Sequence, residues 1–328
     1  MEFTQSHFSP GSTPFGTSKL LDDGRVVCSF TNEGMPPSSY VYDQPLILAI
    51  NVAMATRRPL LLAGEPGCGK TTLAANVAQV QDWAYYHHTI GSRSQASELL
   101  WDVDTLRRLN DAYDPKRRLL GEDSYIQPGK LWWALAPESA RYRGVPPKNR
   151  DLNVPPLSYP PQHRAGRSAV LLIDEIDKAE PDVPNDLLEV LDTSSFYVRD
   201  RRIEPERRDV LVIITTNLER DLPGAFMRRC VVYRFPDALP GWFSGIALQR
   251  HPKFSLALAQ RVEQRLLNYR KEARESGARL PGTAEYLDAL VALNSLGLGD
   301  APASDTADTA WAQLERCVFG KHAAVQAG

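Results

Sequence analysis

The segment Gly64-Glu65-Pro66-Gly67-Cys68-Gly69-Lys70-Thr71 sets a glycine, four residues, then Gly-Lys-Thr, which is the spacing of a phosphate-binding loop. Glycines let successive backbone N–H groups turn toward phosphate oxygens, and a helix beginning near Lys70 adds its positive end. Lys70 offers a point charge for β- and γ-phosphates. The Thr71 hydroxyl offers a ligand for Mg2+, and Thr72 follows it in the nucleotide-binding set. An apolar strand over 60–63 before the loop and a helical pattern over 71–80 after it are the setting such a loop requires. A nucleotide site is expected.

A second apolar run, Ala169-Val170-Leu171-Leu172-Ile173, delivers two adjacent carboxylates, Asp174 and Glu175. Asp174 can hold Mg2+ through its water shell, and Glu175 can orient and deprotonate an attacking water. The pair points to hydrolysis rather than binding alone. A third run, 210–214, leads into Thr215, Thr216 and Asn217, whose amide could bond the γ-phosphate or position the water with Glu175. Arg228 and Arg229 stand directly before another apolar run, 230–235, where a fixed guanidinium could stabilise transition-state charge.

Positioning these groups takes a sheet. The continuous apolar runs over 60–63, 168–173 and 210–214 are separated by helical patterns, which argues for an α/β fold with helices on both faces of a parallel sheet. The patterns predict helices over 46–55, 71–80, 94–112 and 184–191, the last with Pro184 at its first position. They also predict a strand over 83–90 and a basic hairpin over 196–208. Helical periodicity over 256–273, 283–293 and 306–318 makes 238–328 a smaller all-helical domain. Residues 137–167 hold seven prolines, a spacing that neither a long helix nor a central strand tolerates, and they are basic. A functional loop and a disordered one both fit that composition. Residues 1–39 read as an extension with one strand near 25–30.

The whole chain has 328 residues, room for about two domains. Its 38 Lys plus Arg against 40 Asp plus Glu leave a net charge of -2, which argues against wholesale coating of nucleic acid or anionic membrane. Cys28, Cys68, Cys230 and Cys317 are too few and too scattered for a disulfide scaffold or a paired-thiol zinc site. No run of about 18 apolar residues exists, and the first residues are polar where a signal peptide needs an apolar stretch. A soluble, cytoplasmic protein with no membrane insertion is expected.

The order of these motifs, ending in Leu222-Pro223-Gly224-Ala225-Phe226-Met227-Arg228-Arg229 and a helical domain, resembles the AAA+ ATPases. Within them it is similar to the MoxR-type group, on the phosphate loop, on Leu171-Leu172-Ile173-Asp174-Glu175-Ile176-Asp177-Lys178 and on Pro184-Asn185-Asp186-Leu187-Leu188-Glu189. The resemblance covers about residues 40–293. It implies a P-loop nucleotide-binding core over 40–237, with the Pro-rich insertion at about 137–167, and a helical lid over 238–328 after the 1–39 extension. It implies ATP and Mg2+, contacted by Gly64, Glu65, Pro66, Gly67, Cys68, Gly69, Lys70, Thr71 and Thr72. It places the Asn217 strand between the Gly64 and Asp174 strands.

The resemblance further implies a ring, most often a hexamer, in which Arg229 acts on the neighbour's ATP, with Arg228 the close second choice. Arg279 would sense the γ-phosphate from the lid. The insertion and the hairpin would face the channel, where Arg141, Arg143 and Arg150 could grip an acidic or nucleic-acid partner. Such ATPases remodel partner proteins, often ones with von Willebrand A-type domains, and some belong to bacterial multi-gene systems. A nucleic-acid motor or loader is the less favoured alternative, and a nucleotide-gated switch is opposed by Glu175. Other residues read as structural: His87 and His88 face opposite sides of a strand, Trp132 and Trp133 pack, Cys68 is a small packing residue, and Glu65 and Pro66 serve the turn.

Overall fold

The computed structural model describes residues 8–10, 17–21, 24–30, 38–114, 119–150, 154–161, 163, 168–207, 209–237, 241–251, 254–278, 280–298 and 310–320. The chain divides into two units, one of residues 1–30, 42–63 and 71–233, the other of residues 31–41, 64–70 and 234–328. In chain order the elements are β1 (Thr17–Leu20), β2 (Val26–Phe30), β3 (Ser38–Tyr42), α1 (Gln44–Thr56), β4 (Leu60–Ala63), α2 (Lys70–Gln81), β5 (Ala84–Thr89), α3 (Ala96–Leu100), β6 (Trp101–Val103), α4 (Thr105–Tyr113), β7 (Ile126–Pro128), α5 (Lys130–Leu135) and α6 (Pro137–Arg141). They continue with β8 (Ala169–Asp174), α7 (Val183–Thr193), β9 (Phe196–Val198), β10 (Arg201–Ile203), β11 (Val210–Thr216), α8 (Gly224–Met227), β12 (Val231–Arg234), α9 (Trp242–Arg250), α10 (Leu256–Ser276), α11 (Thr283–Ser295) and α12 (Ala310–Val318).

The apolar runs become the middle of one sheet of order β12-β4-β11-β8-β5, in which β4, β11, β8 and β5 run parallel. These runs lack polar alternation because both faces are covered: Leu61, Leu171, Leu172 and Ile213 expose nothing. The Asn217 strand therefore lies between the phosphate-loop strand and the Asp174 strand, as the resemblance implies. Register pairs Ile214 with Ile173, Thr216 with Ala63 and Thr89 with Asp174. Parallel strands all end on the same side, so β5, β8 and β11 deliver their last polar residues together, where open α/β sheets hold ligands.

Three local expectations are corrected. The helix expected over 94–112 breaks into α3, β6 and α4. Tertiary pairing overrides the periodicity there, as Trp101, Asp102 and Val103 pair antiparallel with Pro128, Gln127 and Ile126. Asp104 then caps α4, its carboxylate accepting the Arg107 N–H at 2.9 Å. The Pro-rich stretch contains α6, which opens on Pro137, because a proline in the first turn gives up an N–H that has no partner anyway. Past α6, the Leu157 N–H donates to the Arg141 carbonyl at 2.9 Å and Tyr159 stacks on His163 at 4.0 Å. Pro184 is the second residue of α7, which starts at Val183. The hairpin expected over 196–208 is β9 with β10, where Ile203 faces Phe196. Trp132 packs edge-on to Phe196 at 5.6 Å, a core contact as expected.

The second unit holds α9 to α12. Buried α10 positions Leu258, Val262 and Leu266 recur every fourth residue and pack with Phe243, Tyr286, Leu290 and Trp311. The helix is capped at both ends: the Ser255 hydroxyl accepts the Leu258 N–H, and Gly277 takes the left-handed conformation that ends it. A buried carboxylate, Glu263, is satisfied by the Phe243 N–H at 3.0 Å and the Ser244 hydroxyl at 2.7 Å. Among the described residues no helix is long and apolar enough to cross a membrane.

Candidate functional site

The end of β8 carries Asp174, whose carboxylate gathers three partners from three elements. The Thr215 hydroxyl at the end of β11 donates to Oδ1 at 2.5 Å. The Thr71 hydroxyl on α2 donates to Oδ1 and Oδ2 at 3.2 and 3.0 Å. His87 Nε2 on β5 lies 3.4 Å from Oδ2. Burial alone would raise the Asp174 carboxyl, but the hydrogen bonds from His87, Thr215 and Thr71 together outweigh it and hold the group below its ordinary value. Asp174 thus stays ionised, next to a hydroxyl, in an oxygen-rich corner suited to Mg2+, which binds one or two carboxylates and keeps several waters.

Glu175 follows at φ +61°, a left-handed conformation that turns the chain sharply off the strand. Its backbone N–H donates to Thr215 Oγ1 at 2.8 Å. The carboxylate reaches Lys178 Nζ at 2.6 Å through Oε2 and Asn217 Nδ2 at 3.4 Å through Oε1. Asn217 is fixed in turn by Asp177, a buried residue whose Oδ2 accepts the N–H groups of both Asn217 and Glu219 at 3.0 Å. Replacing Asp177 by alanine leaves two backbone donors without their acceptor. We expect a loss of about 2–3 kcal/mol, read as a lower melting temperature, with Asp177→Asn losing less. An unchanged melting temperature in Asp177→Ala would remove Asp177 from this role.

The phosphate loop belongs to the second unit. Gly67 and Gly69 sit at φ +77° and +96°, where a side chain would be strained, and a Cβ on Gly67 would come 3.1 Å from Gly282 Cα. Lys70, a residue 6 % exposed, donates through its ammonium to the carbonyls of Gly64 at 2.7 Å and Glu65 at 2.9 Å. Burial raises the Cys68 thiol while Lys70 pulls the other way, and the net is upward, so thiolate is scarce. Glu65 is more than turn chemistry, which corrects the expectation for it: its carboxylate pairs with the Arg270 guanidinium and, at 3.1 Å, with Arg274 Nη2. Arg270 also donates to the Pro281 carbonyl, and Arg274 to Asp237 at 3.2 Å. Loop residues 65–68 share with Trp242, Arg270 and Thr283 a cavity of about 30 Å³.

The structure brings Thr71, Asp174, Glu175 and Asn217 together at the sheet end, with Thr72 half-buried one residue further along α2. It does not bring Arg228 or Arg229 there. Arg229 Nε pairs with Asp192 on α7 at 2.6 Å and its Nη1 with the Ala225 carbonyl, while Arg228 is exposed. Arg279 lies outside the described residues. Sequence reasoning set His87 aside as structural and gave no role to Asp177, Lys178, Arg270 and Arg274. Strand alternation at the edge of the sheet could have turned His87 toward the β8 end. For Arg270 the partner is 205 residues away, and no local pattern marks it.

A phosphate loop that opens a helix, with paired carboxylates and a central Asn-ended strand at the end of a parallel sheet, defines a P-loop nucleotide-binding domain. Residues 59–230, more than half of the chain, match the AAA domain (dynein-related subfamily), and the chain belongs to that family. No curated protein matches it. Among solved structures it is similar to a protein from Cytophaga hutchinsonii ATCC 33406 assigned as an ATPase, at 15% identity and a TM-score of 0.40, over 75% of this chain and 56% of the other. The chain spans little more than half the length of that protein.

Proposed function

We propose that this chain hydrolyses ATP with Mg2+, at sites completed by neighbouring copies in a ring, and that turnover remodels a partner protein, as in the MoxR-type group. The observation that supports hydrolysis is the convergence of Thr71, Asp174, Glu175 and Asn217 on one sheet end. Lys70 and the backbone N–H groups around Gly67 and Gly69 receive the phosphates, and Thr71 and Asp174 hold the metal with water. Bound Mg2+ supplies charge neutralisation on the phosphate oxygens. Glu175 orients the attacking water and takes its proton, and the Asn217 amide fixes the carboxylate. Arg229 serves the neighbouring copy, and the partner, a separate polypeptide, is engaged by the ring.

The test is ATP turnover of the whole chain against protein concentration, with and without Mg2+. Specific activity should climb with concentration and vanish with chelator. Activity independent of concentration would overturn the shared-site reading, and activity independent of Mg2+ would overturn the metal assignment.

A further inference from the structure

Away from the strand ends, residues 142–150 and 154–156 and the turn over 121–124 line a half-open cavity of about 550 Å³, within the size range of small-molecule sites. Its walls are largely apolar, from Val145, Val154 and prolines 147, 155 and 156. Its charges are unbalanced. The two acids on the wall are already engaged, Asp123 in a two-pronged pair with Arg201 at 2.6 and 2.7 Å and Glu122 with Arg199 and Arg108 at 2.6 and 3.1 Å.

Arg143 is different. It is 6 % exposed, and among the described residues its guanidinium has a single hydrogen bond, from Nη1 to the Pro155 carbonyl at 3.2 Å, with Nε unpartnered and no carboxylate in ion-pair range. Burial, with the like charge of Arg107, pulls this guanidinium below its ordinary value without neutralising it. A buried cation without a counter-charge is costly, and proteins keep such groups paired. Beside it, the Arg150 guanidinium carbon lies over the Tyr142 ring, 3.3 Å from its centre, on the wall of the same cavity.

We propose that this cavity is a binding site for a small molecule carrying a carboxylate or phosphate on a flat apolar body, the anion seated on Arg143 and the body against Tyr142 and the prolines. The depth of the charge favours a molecule that enters whole over an acidic peptide laid on the surface. The site is separate from the nucleotide chemistry and does not rest on it.

Benzoate, phenyl phosphate and uncharged benzamide serve as probes, titrated by ligand-observed NMR on the full chain, wild type and Arg143→Met. Wild type should bind at least one of the two anions and bind benzamide more weakly. Arg143→Met should weaken anion binding about tenfold or more, the value of a charge-assisted bond. The same variant should melt no lower than wild type, since it exchanges an unpaired buried charge for an apolar side chain. Lys70→Ala separates this site from the phosphate loop, and anion binding should persist in it. Preference between benzoate and phenyl phosphate identifies the anion. The proposal falls if neither anion binds, if benzamide binds as well as they do, or if Arg143→Met binds them like wild type. Loss of anion binding in Lys70→Ala, or a fall in the melting temperature of Arg143→Met, also overturns it, the latter because it makes Arg143 a structural strut for Pro155.

Discussion

Glu175→Gln binds nucleotide like wild type and turns ATP over more slowly by ~10²–10⁴-fold, the usual value of a positioned general base. Glutamine keeps the shape and can still face Asn217, but it has no charge with which to take a proton from water. The ion pair to Lys178 is lost as well. With side chains 31 % and 41 % exposed, that pair contributes little to folding, so the variant stays folded and the rate reports chemistry. Calorimetric titration with ADP beside a phosphate-release assay separates the two effects. Turnover equal to wild type would remove Glu175 from the reaction, and loss of nucleotide binding would make it a binding residue instead.

The second large effect is expected at Arg229. Within one chain this arginine is tied to Asp192 and the Ala225 carbonyl and does not approach Glu175, so a part in hydrolysis requires a second copy. An arginine acting on a neighbour's phosphates is worth ~10³–10⁵ in rate. Its pair with Asp192 is exposed on both sides, so Arg229→Ala folds normally. Activity of Arg229→Ala should fall nearly to background. Mixing it with Glu175→Gln should restore a fraction, because interfaces form where one copy supplies Glu175 and the other Arg229. Two inactive variants that stay inactive when mixed would overturn the assignment. A loss confined to Arg228→Ala would move the role to that residue.

The sheet was legible because its strands are buried on both faces, and a run such as 169–173 has no other reading once two acids follow it. The phosphate loop was legible because its requirements are local: glycines for a turn, then a lysine and a hydroxyl at a helix start. What was illegible was set by distance along the chain. Residues 101–103 look helical until residues 126–128 arrive to pair with them. Asp177 could be quoted within its motif, yet nothing local shows that it holds the backbone of residues 217 and 219 forty positions on. Arg270 and Arg274 sit four apart on α10 like many surface arginines, and only the fold brings Glu65 to them. Arg143 read as one basic residue among several, because its burial belongs to the fold and not to the segment.

The grip on Glu65 bears on how freely the loop can move. The space between residues 65–68 and α10, about 30 Å³, admits one water. Moving residues 65–68 away from α10 would break both ion pairs of Glu65 together. The loop is thus tied to α10 by one carboxylate shared between two guanidiniums a helical turn apart, and its freedom to move is set by how readily both let go at once.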